Sequence, residues 1–390
     1  MKKQSAGGFL VQEEMTTPTS DVTDDRSVSS NDDSSSYCVS AGGDLPMEQR
    51  LYVINRAGTG EASYLQVSPD RQHIVSYRLR TEVWRPIVDL TNFGIAVIDN
   101  HLYIIGGFDR RHARHHNRVV RFDPSEGTWS TCASMKIARA KFGVCTSGKK
   151  IYVCGGEKSD GRVTGSCEVY DPESDEWSKA GMLPQPRANL VCAAHRKELY
   201  CAGGYNGNTS HKNLWMYEQY RWGEVDEHYP HVLPACMDRC AVTVHDNTIY
   251  FIGGVVAKQK DKEEKPKFIT ERRAFSYATC ISAVGRTDNT SRASDLISPW
   301  NFKISPMNYA RHSAGAVALG NKIYVVGGTS LETGQQVRIA ERLDTRTGLW
   351  EEDFNFRKGD VSNVACTLLA VPKIPVSERK MAYRLKWVMW

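Results

Sequence analysis

From about residue 50 onward, short apolar runs alternate with polar turns, and one run recurs with a pair of glycines at its end. The segments are HLYIIGG, KIYVCGG, ELYCAGG, TIYFIGG and KIYVVGG, closing on Gly106–Gly107, Gly155–Gly156, Gly203–Gly204, Gly253–Gly254 and Gly327–Gly328. Successive pairs lie 49, 48, 50 and 74 residues apart. The runs are too short for helices and are bounded by turn residues, so they predict strands. A second apolar segment follows each pair (VVRFDP, CEVYDP, LWMYEQ, AFSYAT and AERLDT), and then a tryptophan: Trp129, Trp177, Trp222, Trp300 and Trp350. Each repeat predicts four antiparallel strands, apolar on both faces, which only neighbouring repeats can cover. The glycine pair suits backbone with positive φ at the end of the second strand, and the tryptophan suits the widening gap between repeats on the fourth.

A period near fifty with two glycines, a strand and a tryptophan resembles the Kelch repeat, over about residues 50 to 371. The resemblance implies an all-β, six-bladed Kelch-type β-propeller. Five repeats are complete, and two fragments remain. At the front, LYVINR (51–56), HIVSYRLR (73–80) and TEVWRPI with Trp84 predict second, third and fourth strands, with Asn55 and Arg56 in place of the glycines. At the back, NVACTLLAVP (363–372) predicts a lone first strand. Together they predict a sixth blade built from both ends of the chain, which closes the ring and removes free sheet edges. The expected organisation is a disordered Ser/Asp-rich tail over 1–45, the propeller over 46–372 and a basic, aromatic tail over 373–390.

Net charge is +5, but residues 1–50 hold four basic and nine acidic side chains, so the repeat region is the basic part. No Lys/Arg stripe with interleaved aromatics tracks a phosphate backbone, which argues against nucleic acid as partner. The chain start has no apolar signal region, and no stretch is long enough for a membrane span. Eleven cysteines, mostly inside strand-like runs, read as reduced, buried thiols, giving a cytoplasmic expectation with the nucleus as alternative. The charge run KQKDKEEKPK and the polar stretch RTDNTSRASD lengthen the repeat before Trp300 and read as solvated loops.

Chain direction puts the loop entering the first strand of each repeat and the loop leaving the second on one face. Fourteen residues before each first glycine stand Asn92, Lys141, Asn189, Arg239 and Ser313. In Kelch proteins that this chain resembles, this position and the residues after the glycine pair line a pocket for a partner peptide. Carried over, the second set is Phe108, Arg110, Arg111, Glu157, Tyr205, Asn206, Thr329 and Ser330. Their chemistry suits an acidic or phosphorylated peptide loop. Arg139, Arg187 and Arg311, two residues upstream of three of these positions, are expected to brace loops. The His-rich loop DRRHARHHNR (109–118) is expected to be a basic contact loop and not a metal site, since no carboxylate pattern completes one.

The functional expectation is therefore a protein-interaction module without cofactor or metal. The resemblance implies substrate recognition for a cullin-type ubiquitin ligase, although the BTB and BACK domains usual in such relatives are not expected in the first 45 residues. Actin binding is the alternative. A copper-radical oxidase is a remote one, disfavoured by histidines that cluster on one loop, and no catalytic constellation stands out.

Overall fold

β-Branched and aromatic residues dominate the short runs, and almost every run becomes a strand. The computed structural model describes residues 47–67, 74–78, 84–195, 197–218, 220–224, 233, 237–246, 248–257, 272–274, 278–282 and 304–372. The expected tails at 1–45 and 373–390, the charge run before Trp300, the polar stretch and Trp300 itself lie outside the described residues. Among the described residues the only helical turn is a 3-10 segment, Arg85–Ile87.

Among the described residues, five four-stranded antiparallel blades are present where six were expected. The Trp129 blade runs Gly94–Ile98, His101–Asp109, Arg114–Asp123 and Thr128–Cys132. The Trp177 blade runs Gly143–Ser147, Lys150–Cys154, Ser166–Asp171 and Glu176–Met182. Val191–His195, Glu198–Ala202, Leu214–Glu218 and Arg221–Glu224 form the Trp222 blade. The Trp350 blade comprises Gly315–Leu319, Lys322–Val326, Ile339–Asp344 and Trp350–Asn355. Between these last two stands a three-stranded sheet, Ala241–His245, Thr248–Ile252 and Ala278–Ser282. The strand expected to complete it is the one carrying Trp300, outside the described residues.

The fifth blade joins the two ends of the chain. Met47–Asn55 pairs along its whole length with Val364–Pro372, from Met47 opposite Pro372 to Asn55 opposite Val364. Its other strands differ from the expected ones. The third is Ala62–Val67, and Ile74–Arg78 is the fourth, not the third. Trp84 lies off the sheet, buried beside the 3-10 turn. The connection after Asn55 is only a few residues long, and its positive φ angles fall on Gly58 and Gly60 and not on Asn55 or Arg56. Asn55 instead spends its side chain on hydrogen bonds, accepting from Ala57 N and donating to Asp360 O.

Apolar side chains from adjacent blades merge into continuous clusters, as in the one joining Tyr103, Ile105 and Val119 to Phe142, Val153 and Trp177. The fourth-strand tryptophans also stitch blades together. Trp177 Nε1 donates to Ala133 O at 2.9 Å, Trp222 to Ala180 O at 3.0 Å and Trp350 to Ser305 O at 2.9 Å. Arg139 and Arg311 are completely buried braces. Arg139 donates to Gly155 O, Ser166 O and Glu168, whose carboxylate accepts from Lys136 N and Ile137 N. Arg311 repeats this with Gly327 O, Ile339 O and Glu341. At Arg187 the carboxylate position is occupied by Trp215, and the guanidinium lies 5.0 Å from that ring.

Candidate partner-binding site

The five residues chosen by register share one backbone conformation: Asn92, Lys141, Asn189, Arg239 and Ser313 have φ between 51° and 57°. Each holds a hydrogen bond to its predecessor around the axis. Asn92 N donates to Arg56 O, Lys141 N to Asn92 O, Asn189 N to Lys141 O, Arg239 N to Asn189 O, Ser313 N to Arg239 O and Val364 N to Ser313 O. Arg56 N then donates to Asn363 O, and Asn363 Nδ2 reaches Asn92 Oδ1 at 3.0 Å. The positions are thus a structural collar first, and their side chains project from it.

Those side chains surround a cavity of about 450 Å³ lined by all five together with Tyr205, Asp238 and Asn363. The cationic members are not free. Lys141 Nζ donates to Glu157 Oε2 at 2.8 Å, and His115 Nε2 lies 3.8 Å from the same carboxylate. Arg239 Nε donates to Asp238 Oδ1 at 2.7 Å, while Ser210 Oγ donates to the other oxygen of that buried carboxylate. Lys141 and Arg239 are two of the residues expected to contact an acidic peptide. The chain instead supplies each with a carboxylate, because a half-buried charge beside the collar requires a partner. Burial, reinforced by Arg239, depresses the His312 imidazole to about 4, and burial likewise lowers His115.

The remaining predicted residues divide. Phe108 packs edge-on against His115 at 5.1 Å, beside Glu157. Thr329 donates to Ser362 O at 2.9 Å and bridges His312 through its backbone, one shell outside the collar. Arg110 leans away to donate to Ala57 O, and Arg111 is exposed. Asn206 caps its own loop and lines a separate depression with Arg162 and Gln185. Ser330 is taken up in the turn to Gln335. The histidine loop is also corrected: His101–Asp109 and Arg114–Asp123 are paired strands, and His112 and His116 both bind Asp109, the first residue of that segment. Burial opposes ionisation of Asp109, but these hydrogen bonds prevail and hold its carboxyl below the usual range.

Two collar residues were missed. Arg56 and Asn363 line the channel beneath the mouth with the five chosen positions. Arg56 lies against the Phe93 ring, and burial pulls its guanidinium down to about 10. The signal was available for Asn363, which stands just before a first strand, as Asn92 and Ser313 do. It was overlooked because its blade has its glycine-pair position at the opposite end of the chain.

Residues 92–283 match the KLHDC2/KLHL20/DRC7 Kelch-repeats domain, and residues 310–352 match the Kelch motif. The chain carries Kelch-repeat domains over these residues. It is 26% identical over 286 residues to Kelch-like protein 26 of Danio rerio, covering 72% of this chain and 42% of the relative. It is 23% identical over 292 residues to Kelch repeat and BTB domain-containing protein 1 of Vaccinia virus (strain Copenhagen), covering 73% and 46%. The chain therefore spans less than half the length of these relatives, and the similarity is confined to the Kelch region. Among solved structures, YjhT superposes with a TM-score of 0.59 at 13% identity, covering 78% of this chain and 94% of that one, which shows a shared propeller fold. No helix among the described residues is long and apolar enough to cross a membrane.

Proposed function

We propose that this Kelch chain is a protein-interaction module that holds an acidic segment of a partner at the collar. Convergence of Lys141, Arg239 and Tyr205 on one polar mouth carries the reading. Each cation already holds a carboxylate, so a partner's acidic side chain joins a shared network and does not enter an empty cationic pocket. Charge-assisted hydrogen bonds of this kind favour geometry as much as affinity. Tyr205 offers ring area at low entropic cost. The antiparallel blades around the collar provide the rigid support.

The Kelch-like relatives extend the reading to substrate recognition for ubiquitylation, which requires a scaffold-binding segment supplied by this chain beyond its repeats or by a companion protein. The family resemblance leaves actin binding as the alternative. The eight free thiols among the described residues suit a reducing cytoplasm or nucleus.

The test is affinity capture with the wild-type chain, with Lys141→Glu/Arg239→Glu and with a charge reversal on the opposite face at Lys322. Captured proteins should be lost with the collar variant and kept with the other. Equal capture by all three removes the mouth from the function. Co-sedimentation of the wild-type chain with actin filaments, insensitive to the collar reversal, would favour the cytoskeletal reading.

A further inference from the structure

The cysteines look scattered in the sequence, yet five of them, Cys145, Cys154, Cys167, Cys192 and Cys201, share the core between the Trp177 and Trp222 blades. Four form two cross-strand pairs that face one another. Cys154 is the direct partner of Cys167 in one blade, and Cys192 that of Cys201 in the next. The sulfurs of Cys154, Cys192 and Cys201 all lie within 4.8 Å of one another, and all three residues are buried. Cys192 and Cys201 Sγ are 2.9 Å apart, and Cys154 Sγ is also within hydrogen-bonding reach of Cys167.

We propose that Cys154, Cys192 and Cys201, with Cys167 as fourth donor, form a thiolate site between the two blades for a thiophilic closed-shell metal ion, Zn2+ or Cu+. Sulfur is the ligand that selects these ions over harder ones. A Zn–S bond of about 2.3 Å places tetrahedral sulfurs about 3.8 Å apart. The three clustered sulfurs therefore need to shift by only about an ångström to surround an ion. Binding releases one proton to solvent from each thiol that ligates, and the ion offsets only part of the resulting thiolate charge, so the loaded site is anionic.

Arg187 lies over Trp215, the cross-strand partner of Cys201. Its side-chain partners among the described residues are neutral: Pro186 O, Gln185 and Asn213. Where Arg139 and Arg311 each have a glutamate, Arg187 has none, so an anionic cluster in this core would supply negative charge that the other two blades obtain from Glu168 and Glu341. The site is sealed from water, so the ion is acquired as the two blades close on each other.

The full chain is unfolded in denaturant with a thiol reductant and refolded with Zn2+, with Cu+ under anaerobic conditions, and without metal. Each sample is then desalted against a weak chelator. The proposal expects one metal equivalent per chain in the zinc or the copper arm, and the arm that retains it identifies the ion. It also expects a sulfur-to-metal charge-transfer band when Co2+ is used as the probe. Metal content should fall about tenfold or more in Cys154→Ser/Cys192→Ser and remain in Cys132→Ser, which lies outside the cluster. Serine in a dry core can prevent folding, so Cys154→Ala/Cys201→Val is measured in parallel, with tryptophan fluorescence as the check of folding. Background metal in folded wild-type protein from both arms overturns the proposal. So does metal that survives in either folded double variant, or alkylation of the four thiols at the same rate with and without metal.

Discussion

A single methyl group distinguishes the two kinds of glycine that this fold uses. Gly155 has φ of +68°, and a Cβ placed there would lie 2.4 Å from the carbonyl oxygen of Arg187. Gly127 has nearly the same φ, +70°, with nothing within 4 Å of such a Cβ. The backbone strain of an L-residue is common to both, about 1–2 kcal/mol, while only Gly155 adds contact with another blade's backbone. Gly127→Ala should therefore lower stability by about 1 kcal/mol, and Gly155→Ala by at least about 2 kcal/mol more, because a carbonyl in the blade interface has nowhere to retreat. Urea denaturation of both variants measures the difference, and equal midpoints would show that the repeat glycines are kept for φ alone.

Between strands, the buried arginines act as clasps. Arg139 holds the ends of the second and third strands of the Trp177 blade through Gly155 O and Ser166 O, and binds Glu168 at 2.6 Å with neither side chain in contact with water. Glu168→Gln leaves the guanidinium charge uncompensated and should cost about 3–5 kcal/mol in urea denaturation. Apolar replacement of a buried ion pair often restores stability, but here Arg139→Met/Glu168→Leu should remain at least as destabilised as the single variant. The carbonyl of Gly155 and the amides of Lys136 and Ile137 would lose their partners together, while Ser166 O would keep only its bond from Gly155 N. Recovery in the double variant would mean that the pair matters for charge balance and not for bracing strand ends.

This element-level regularity explains what could be read from the chain. The arginine bracing was legible because its two-residue offset from the collar recurs, and the collar itself was legible because the glycine pairs fix its register. The third strand of the closing blade was not, since ASYLQV follows Asn55 after a turn much shorter than in the other repeats, and Trp84, expected on a fourth strand, stands instead beside a 3-10 turn. Arg56 was read as a stand-in for glycine because its place in the collar comes from pairing with Asn363, a contact 307 residues away in sequence. Likewise, the carboxylate of Glu157 sits beside Lys141 through tertiary geometry that linear spacing does not encode, whereas Asp238, adjacent to Arg239 in the chain, was visible and passed over. The cysteine cluster stayed hidden for the same reason: its two pairs belong to different blades.

At the scale of the whole molecule, stability depends on a seam that joins the first described strand to the last. Nine Cα pairs connect Met47–Asn55 to Val364–Pro372, and the collar is completed there by Arg56 and Asn363. Without residues 363–372, the Met47–Asn55 strand becomes a free sheet edge and the inner strand Gly315–Leu319 loses its neighbour, so a chain ending at Ser362 should aggregate or unfold without a cooperative transition. Because Pro372 lies opposite Met47, the same strand can be supplied from the other side. A permuted chain that begins at Asn363, passes from Pro372 to Met47 through a short Gly/Asn turn and ends at Ser362 converts the seam into a hairpin. It should unfold cooperatively with a stability close to that of an unpermuted 47–372 chain, and refold faster in stopped-flow fluorescence, because its most distant strand pairing has become its most local one. A permutant that refolds no faster would mean that the seam forms before the rate-limiting step, with the blades assembling onto a ring already closed at Asn363.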